Sequence, residues 1–345
     1  MIFRSCSKKL SLTLVLFSAL LLLASTGCRT APRPGAFEPR QHDEIVVAGK
    51  FIHTGTPVVL WLDPGGYDAY RVERRFAPYD KSSWADSAKA EPELTAPNRY
   101  GLRRNPLTDA EVERVRGGGW DLLLLQKIVD QFVIHFDVCG VSRQCFNILQ
   151  DHRDLSVHFM LDIDGTIYQT LDLKERAPHA TIANTRSVGI EIANMGSYSR
   201  KEKNPLPNWY KHEPDGQTTI TIPARLGDGG VRTPHFVGHP ARPEIIKGEI
   251  QGEELEQYDF TPQQYAALVK LTATLCTVFP RIECKYPVDA SGKLIPHKLT
   301  NYEWENYHGI LGHYHIQSNK VDPGPAFNWD YVINHARDLM ATPTK

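Results

Sequence analysis

Five side chains, widely separated in the 345-residue sequence, are of the types that a hydrolytic metal site needs. His135 lies in an apolar run, His313 follows a glycine and Asp322 precedes a Pro-Gly turn. A catalytic zinc ion takes three such protein ligands and keeps a fourth position open for water. Glu191 could accept the proton of that water, and Lys320 could face the developing oxyanion. Because the chain has 14 histidines, spacing alone leaves other ligand sets open.

Several other catalytic signatures are absent from the sequence. His212-Glu213 has no second histidine at position 216, so the His-Glu-x-x-His motif of zinc proteases is not formed. The segment 140–144 ends in glutamine instead of the glycine that a nucleophile elbow requires. A formal net charge of −1 gives no reason to expect nucleic acid as a partner.

Two predicted strands position His135 and Glu191. In residues 132–136 the large apolar side chains alternate, so His135 points to the opposite face of the strand. Residues 188–193 alternate in the same way and leave Glu191 on the face away from their apolar side chains. Asp164-Gly165, between two further apolar runs, predicts a β-hairpin.

Helical signals complete an α/β, or α+β, domain over residues 121–345. A short helix is expected at 142–150, and Thr261 to Gln264 form a capping box that begins a longer one. A last helix is expected near 328–340. Residues 196–258 are rich in proline, glycine and charge and are interpreted as an insertion or lid, and residues 45–120 as a small β-rich accessory region.

Residues 1–27 are predicted to be a signal peptide. A basic start precedes an apolar run of 14 residues, Leu10 to Leu23, which is too short to span a bilayer as a helix. The run leads to Gly27-Cys28, which resembles a bacterial lipobox and predicts lipidation of Cys28. Ser25 departs from that pattern, so an ordinary signal peptide cleaved nearby is the alternative.

The segment that follows Cys28 is expected to act as a tether up to residue 44. Loss of residues 1–27 removes three basic side chains from 39 and leaves 36 against 40 acidic ones, a net charge of −4. Such a chain has no electrostatic attraction to anionic lipids, so membrane attachment would depend on acyl chains at Cys28. We expect a lipoprotein of the cell envelope that faces the periplasm, on the outer membrane, or a secreted protein if Cys28 is not lipidated.

Four cysteines remain beyond the leader and Cys28. They are Cys139, Cys145, Cys276 and Cys284. An even number in an oxidising compartment favours disulfides, and the local pairs 139–145 and 276–284 are the simplest of the three possible connectivities. A zinc knuckle is less favoured because no Cys-x-x-Cys occurs.

A series of short motifs occurs in one order along residues 128–340. The motifs are FVIHF at 132–136, SVHF at 156–159, DGTIYQ at 164–169, VGIEIAN at 188–194, Gly312-His313 and KVDPGP at 320–325. The series resembles the zinc-dependent N-acetylmuramoyl-L-alanine amidases of the type 2 amidase family, which share a fold with the peptidoglycan-recognition proteins. The insertion at 196–258 interrupts it, and residues 45–127 lie outside it.

The resemblance implies a mixed central β-sheet flanked by helices, with a zinc groove along one face. His135, His313 and Asp322 correspond to the zinc ligands, Glu191 to the catalytic carboxylate and Lys320 to the lysine on the oxyanion side. On the same basis His179 and Asn194 are assigned to substrate binding. The implied reaction is hydrolysis of the amide between the lactyl group of N-acetylmuramic acid and L-alanine in peptidoglycan or muropeptides, by a protein expected to be a monomer.

One departure and one alternative stay open. The spacing of nine residues from His313 to Asp322 is one shorter than is typical of the family, which leaves His315 as a rival ligand. The alternative function is a non-catalytic lipoprotein that binds muropeptides, because some proteins of the recognition fold grip this ligand without cutting it. Such proteins typically lack a complete zinc set, whereas every ligand position is filled here.

Overall fold

The computed structural model describes residues 33–37, 39–71 and 100–342. The chain divides into two compact units, residues 1–40 and 41–345. In the described part of the first unit, the amide of Ala36 donates to the carbonyl of Arg33 over 2.9 Å and forms a turn. The predicted signal peptide and Cys28 lie outside the described residues.

Short strands and helices are interspersed along the described residues of the second unit. The strands are β1 Glu44–Val47, β2 Lys50–His53, β3 Val58–Leu60, β4 Gly101–Leu102, β5 Gln131–Phe136, β6 Phe159–Leu161, β7 Ile167–Gln169, β8 Glu175–Arg176, β9 Ser187–Ile192, β10 Tyr210–His212, β11 Thr218–Ile220, β12 Ile246–Ile250, β13 Glu253–Gln257 and β14 Gly309–Gly312. The α-helices are α1 Asp109–Arg116, α2 Leu122–Gln126, α3 Ser142–Asn147, α4 Leu206–Trp209, α5 Pro262–Val278, α6 Asn301–Glu305 and α7 Trp329–Ala341. A π-helical turn, Ile148–His152, follows α3.

Six strands form a mixed central sheet in the order β14-β5-β9-β6-β7-β3. The first four run parallel to one another, β7 is antiparallel to β6, and β3 is parallel to β7. The hairpin predicted at Asp164-Gly165 joins β6 to β7. With helices on the sheet, this is the α/β class with a mixed central sheet that the sequence predicts, and the prediction is confirmed.

The alternation of apolar residues seen in the sequence determines which side chains lie on each face of the sheet. Phe132, Ile134 and Phe136 pack into the main apolar core together with the apolar residues of β9 and of helices α5 and α7. The opposite face carries His135 and Glu191, and beside them a smaller cluster that includes Val133 and Leu311. The buried face therefore fixes the register, and a slip by one residue would turn His135 into the core.

The long helix α5 begins where the sequence predicts. Thr261 accepts from the amide of Gln264, and the Gln264 side chain in turn accepts from the amide of Thr261, so both halves of the capping box are formed. Helix α7 packs against α5, and Trp329 at its start is buried. None of the helices in the described part of the chain has the length and apolar composition needed to span a lipid bilayer.

The segment 196–258 is ordered into short elements and two antiparallel hairpins, β10–β11 and β12–β13. Ile250 and Leu255 of the second hairpin reach the main core. At the other end of the domain, β3 belongs to the predicted accessory region 45–120 and forms the edge strand of the central sheet next to β7. The domain boundary between residues 120 and 121 stays a prediction.

Candidate active site

Neighbouring parallel strands bring the two candidate histidine ligands together. Gly312, the last residue of β14, lies opposite Ile134 of β5. His135 and His313 each occupy the next position, so they emerge side by side although 178 residues separate them in the sequence. A Cβ atom on Gly312 would lie 2.7 Å from the Cδ atom of Pro323. Only glycine there lets the segment that carries Asp322 approach this closely.

The donor atoms of the three predicted ligands converge on one point. Nδ1 of His135 is 2.8 Å from Oδ2 of Asp322 and 3.0 Å from Nδ1 of His313. Nδ1 of His313 is 3.0 Å from the same carboxylate oxygen. All three residues are buried, at 1%, 6% and 7% exposure for His135, His313 and Asp322. The structure thus brings His135, His313 and Asp322 together as one group that could hold a metal ion.

The charge state of this group favours a cation. Burial alone would raise the pKa of Asp322, but the adjacent His313 and His135 lower it below its usual value, so the carboxylate is ionised. Burial and the neighbouring His313 lower the pKa of His135 to about 4, so this imidazole is neutral. With Asp322 ionised, at least one of these three contacts is repulsive, whichever imidazole nitrogens carry the protons. If both Nδ1 atoms are protonated, their two hydrogens face each other. If either Nδ1 atom is not protonated, its lone pair faces the carboxylate oxygen. A metal cation attracts all three atoms, and the donor set fits one.

The outer nitrogen of each histidine is held by a second side chain. Nε2 of His135 is 3.1 Å from Nδ1 of His179, and Nε2 of His179 is 3.2 Å from the hydroxyl of Ser187. Nε2 of His313 is 2.6 Å from Oε1 of Gln317 and donates to it. Partners of this kind fix the tautomer and orientation of histidine ligands. They leave the Nδ1 lone pairs of His135 and His313 directed at the common point.

Glu191 is positioned by the strand next to β5. It lies opposite His135 in the register of β9 with β5. Its Oε2 atom is buried and has no hydrogen-bond partner among the described residues. Burial raises the pKa of Glu191 well above its usual value, the charges of Asp322 and Asp137 raise it further, and the charge of Lys320 opposes the rise. The carboxyl group is therefore available to exchange a proton with a ligand.

The candidate metal ligands and Glu191 border a cavity of about 130 Å³. His135, His313 and Asp322 line it together with Glu191, Lys320 and His179. The remaining lining residues are Phe136, Asp137, Val138, Cys139, Cys145, Ile148, Leu149, Arg153, Leu155, Ser156 and Pro178. None of the lining residues belongs to the segment 196–258.

Two predicted or alternative site residues lie elsewhere. Asn194, assigned to substrate binding, is buried and does not line the cavity; its carboxamide donates to the carbonyl of Tyr258 and accepts from the amide of Gly196. His315, the rival ligand, is fully buried. Its Nδ1 accepts from the amide of Gly312 and its Nε2 donates to the carbonyl of Ile295. Both nitrogens of His315 are therefore occupied away from the metal group.

The four described cysteines lie as the two predicted local pairs but are free thiols. A hydrogen bond with Cys139 and burial raise the pKa of the Cys145 thiol. A hydrogen bond with Cys284 likewise raises the pKa of Cys276. Cys139 and Cys145 line the cavity, and with Asp137 they form a second group of possible metal donors. The disulfide connectivity 139–145 and 276–284 stays a prediction.

No sequence pattern marked Arg103 as a functional residue, because it lies in a charged, irregular stretch that is typical of a protein surface. The structure buries it completely. Its Nη2 atom donates to the carbonyl of Ser187 and lies 2.9 Å from Nε2 of His158. Burial lowers the pKa of Arg103 to about 9. This guanidinium supports the start of β9, the strand that carries Glu191, and no local sequence signal marks such a role.

Comparison with known proteins gives one family match. The sequence model described as Amidase_2, N-acetylmuramoyl-L-alanine amidase, matches residues 125–325. This range contains all five residues of the predicted metal and proton-transfer set. No curated protein sequence matches the chain significantly.

Among solved structures, three similar ones have a TM-score of 0.32 each. A selenomethionine AmpD derivative is 15% identical, over 69% of this chain and 89% of its own. The endolysin amidase LysCS from Clostridium intestinale URNW is 15% identical, over 62% and 86%. The amidase AmiD from E. coli, in complex with anhydro-N-acetylmuramic acid-L-Ala-D-γ-Glu-L-Lys, is 17% identical, over 60% and 57%.

Proposed function

Because the chain belongs to the N-acetylmuramoyl-L-alanine amidase family, we propose that it is a zinc-dependent hydrolase of peptidoglycan. The bond cleaved is the amide between the lactyl group of N-acetylmuramic acid and L-alanine of the stem peptide. The observation that carries the proposal is the convergence of His135, His313 and Asp322, whose donor atoms lie within 3.0 Å of one another beside an unpaired glutamate oxygen.

His135, His313 and Asp322 would hold the zinc ion. Zinc in such a site supplies Lewis acidity, which polarises an amide carbonyl and lowers the pKa of water. His179 and Gln317 keep the two imidazoles in the tautomer that presents Nδ1 to the site. The ligands are thus oriented before substrate arrives, which reduces the reorganisation that the reaction requires.

Glu191 moves the proton, and Lys320 faces the oxyanion. The pKa of Glu191 is raised towards neutral pH, and a general base is most effective when its pKa lies near the pH of the reaction. Its unpaired Oε2 accepts the proton of the attacking water and returns it to the leaving amine of L-alanine. The Lys320 ammonium, which lines the same cavity, donates to the oxygen that becomes negative.

The sequence of the first 28 residues supports an envelope location for this activity. A leader that ends at a lipidated Cys28 would hold the domain on a membrane, through a tether, beside the peptidoglycan it acts on. Labelling of Cys28 with a fatty-acid analogue tests this part, and a Cys28→Ser chain that is still labelled would contradict it.

Release of stem peptide from purified peptidoglycan tests the activity. The wild-type protein should release peptides that begin with L-alanine, lose this activity in a chelator and regain it when zinc is added back. The variant His313→Ala should release no peptide at any zinc concentration that restores the activity of the wild type. Release that continues in the chelator contradicts zinc dependence, and zinc-loaded protein that binds muropeptides without release would make it a binding protein instead.

A further inference from the structure

The hairpin β12–β13 contacts the loop that contains His313, Lys320 and Asp322. Its tip, Gln251, projects a side chain among the backbone carbonyls of this loop. The carboxamide nitrogen Nε2 donates to the carbonyl oxygen of Tyr314 at 2.9 Å, of Gln317 at 3.1 Å and of Lys320 at 3.3 Å. Two N–H groups thus serve three acceptors, so at least one hydrogen is shared. A single side chain thereby ties three points of the loop together.

The backbone at Gln251 is held in a conformation that its residue type disfavours. Gln251 has φ of +57°, and Gly252 follows with +79°, as a two-residue hairpin turn requires. Glycine adopts this region freely, whereas glutamine enters it at a cost in free energy. The amide of Gln251 donates to Pro296, and its Oε1 accepts from the amide of Lys298. The strained residue is therefore bonded through every polar group of its side chain.

A second glutamine of the hairpin holds the other end of the loop. Gln257 is fully buried. Its Nε2 donates to the carbonyl of Pro323 at 3.1 Å, and its Oε1 accepts from the amide of Ala326 at 3.0 Å. A Cβ atom on Gly324 would lie 2.2 Å from this Oε1, so glycine permits the approach. Gln251 and Gln257 therefore bracket the segment 314–326, which includes Lys320 and Asp322.

The hairpin itself is anchored to the protein core. Ile250 precedes the turn and Leu255 follows it, and both are buried in the main apolar core at 2% and 3% exposure. An element anchored at this depth does not open and close like a lid. Its side-chain hydrogen bonds with the loop are made to backbone carbonyls and, at Ala326, to a backbone amide, and none of its residues lines the cavity.

We propose that the hairpin β12–β13 is a positioning element for the metal-binding loop, with Gln251 as its main positioning residue. The inference rests on the metal site proposed above. Gln251 fixes the carbonyl of Gln317, and Gln317 in turn orients His313 through Nε2. It also fixes the carbonyl of Lys320, two residues before Asp322. Without the hairpin the ligands would have to be ordered by the metal itself, which weakens binding.

Two variants of Gln251 test the proposal through zinc affinity. Gln251→Gly removes the side chain and suits the positive φ, so the turn is retained. Gln251→Glu keeps the length but replaces the donor by an acceptor, which repels the three carbonyls. The control is Gln217→Gly, at an exposed glutamine beside the turn of the other hairpin. Zinc dissociation constants come from competition with a chromophoric chelator, and unfolding temperatures are measured on the metal-free proteins.

We expect both Gln251 variants to bind zinc roughly 10-fold or more weakly, as loss of an orienting partner usually does, while the control binds like wild type. The metal-free Gln251→Gly protein should unfold within a few degrees of wild type. Wild-type affinity in both variants would overturn the positioning role. A fall in metal-free unfolding temperature that accounts for the lost affinity would assign Gln251 to general stability and also overturn it. A wild-type protein that binds no zinc would instead reject the proposed function.

Discussion

The imidazole of His179 lies against the outer nitrogen of His135, with 3.1 Å between Nδ1 of the former and Nε2 of the latter. Burial and the nearby His135 and His158 lower the pKa of His179 well below its usual value, so the ring is neutral. A neutral His179 accepts from His135 through Nδ1 and donates from Nε2 to Ser187. The ring is then an orienting partner of a ligand as well as part of the cavity wall.

We expect His179→Ala to weaken zinc binding by roughly 10- to 100-fold, because His135 loses the partner that fixes its tautomer. Ser187→Ala, which removes the outer link of the same chain, should have a smaller effect in the same direction. Chelator competition measures both. If His179→Ala keeps wild-type zinc affinity and raises only KM, its role is substrate binding, as the sequence resemblance implies.

Glu191→Gln should separate metal binding from turnover. Glutamine is similar in shape but cannot accept the proton, so we expect turnover to fall by roughly 10²- to 10⁴-fold with one zinc per chain retained. Peptide release and metal analysis on the same preparation measure the two quantities. Glu305→Gln, at an exposed glutamate on α6, is the matched control. A Glu191→Gln enzyme of normal activity would remove Glu191 from the mechanism.

The buried Asp162 should make stability fall as the pH rises. Burial raises its pKa from 3.8 to about 7, while Ile163 and Ser142 donate backbone hydrogen bonds to Oδ1. The folded state therefore keeps a proton that the unfolded state releases above about pH 4, and the free energy of unfolding declines between about pH 4 and pH 8.

Asp162→Asn removes this titration and keeps the Oδ1 acceptor. We expect the variant to gain stability relative to wild type on going from pH 5 to pH 8, by a few kcal/mol. Urea unfolding of the metal-free proteins at both pH values measures the change, with the exposed Asp215→Asn as control. If the free energies of unfolding of variant and wild type differ by the same amount at both pH values, the raised pKa of Asp162 is contradicted.

The thiols of Cys276 and Cys284 should form a disulfide in an oxidising compartment. They are hydrogen-bonded to each other at the end of α5 and in the segment after it. Closing so short a loop stabilises the fold by about 2–3 kcal/mol in the chain-entropy model. Intact mass and unfolding temperature, with and without reductant, measure this. In the Cys276→Ser/Cys284→Ser protein, reductant should lower the unfolding temperature by less than it does in the wild type, because this pair can no longer form a disulfide.

The positions of the main strands and of the metal group were predictable because each has a local cause. Alternation of apolar residues defines β5 and β9, and it sends His135 and Glu191 to the face opposite the core. The capping box defines the start of α5. Glycine before His313 then makes room for Pro323, which follows Asp322. These signals lie within a few residues of the features they predict.

The contacts of 196–258 and of Asn194 were not predictable in the same way. A stretch rich in proline, glycine and charge resembles a flexible insertion, and the hydrogen bonds that order it are made to carbonyls far away in the sequence, as at Gln251. Asn194 follows β9 within a motif of the family, but its carboxamide is taken up by Tyr258 of the insertion. Side-chain bonds to distant backbone leave no periodic pattern to detect.

The place of β14 in the sheet has a consequence for how the centre comes into being. This strand is the neighbour of β5, yet it is formed by residues 309–312, and two of the three donor residues follow it. A growing or shortened chain that ends before residue 309 already contains His135 and Glu191 but has only one of the three donors. The three-donor group can therefore form only after almost the whole polypeptide has been made.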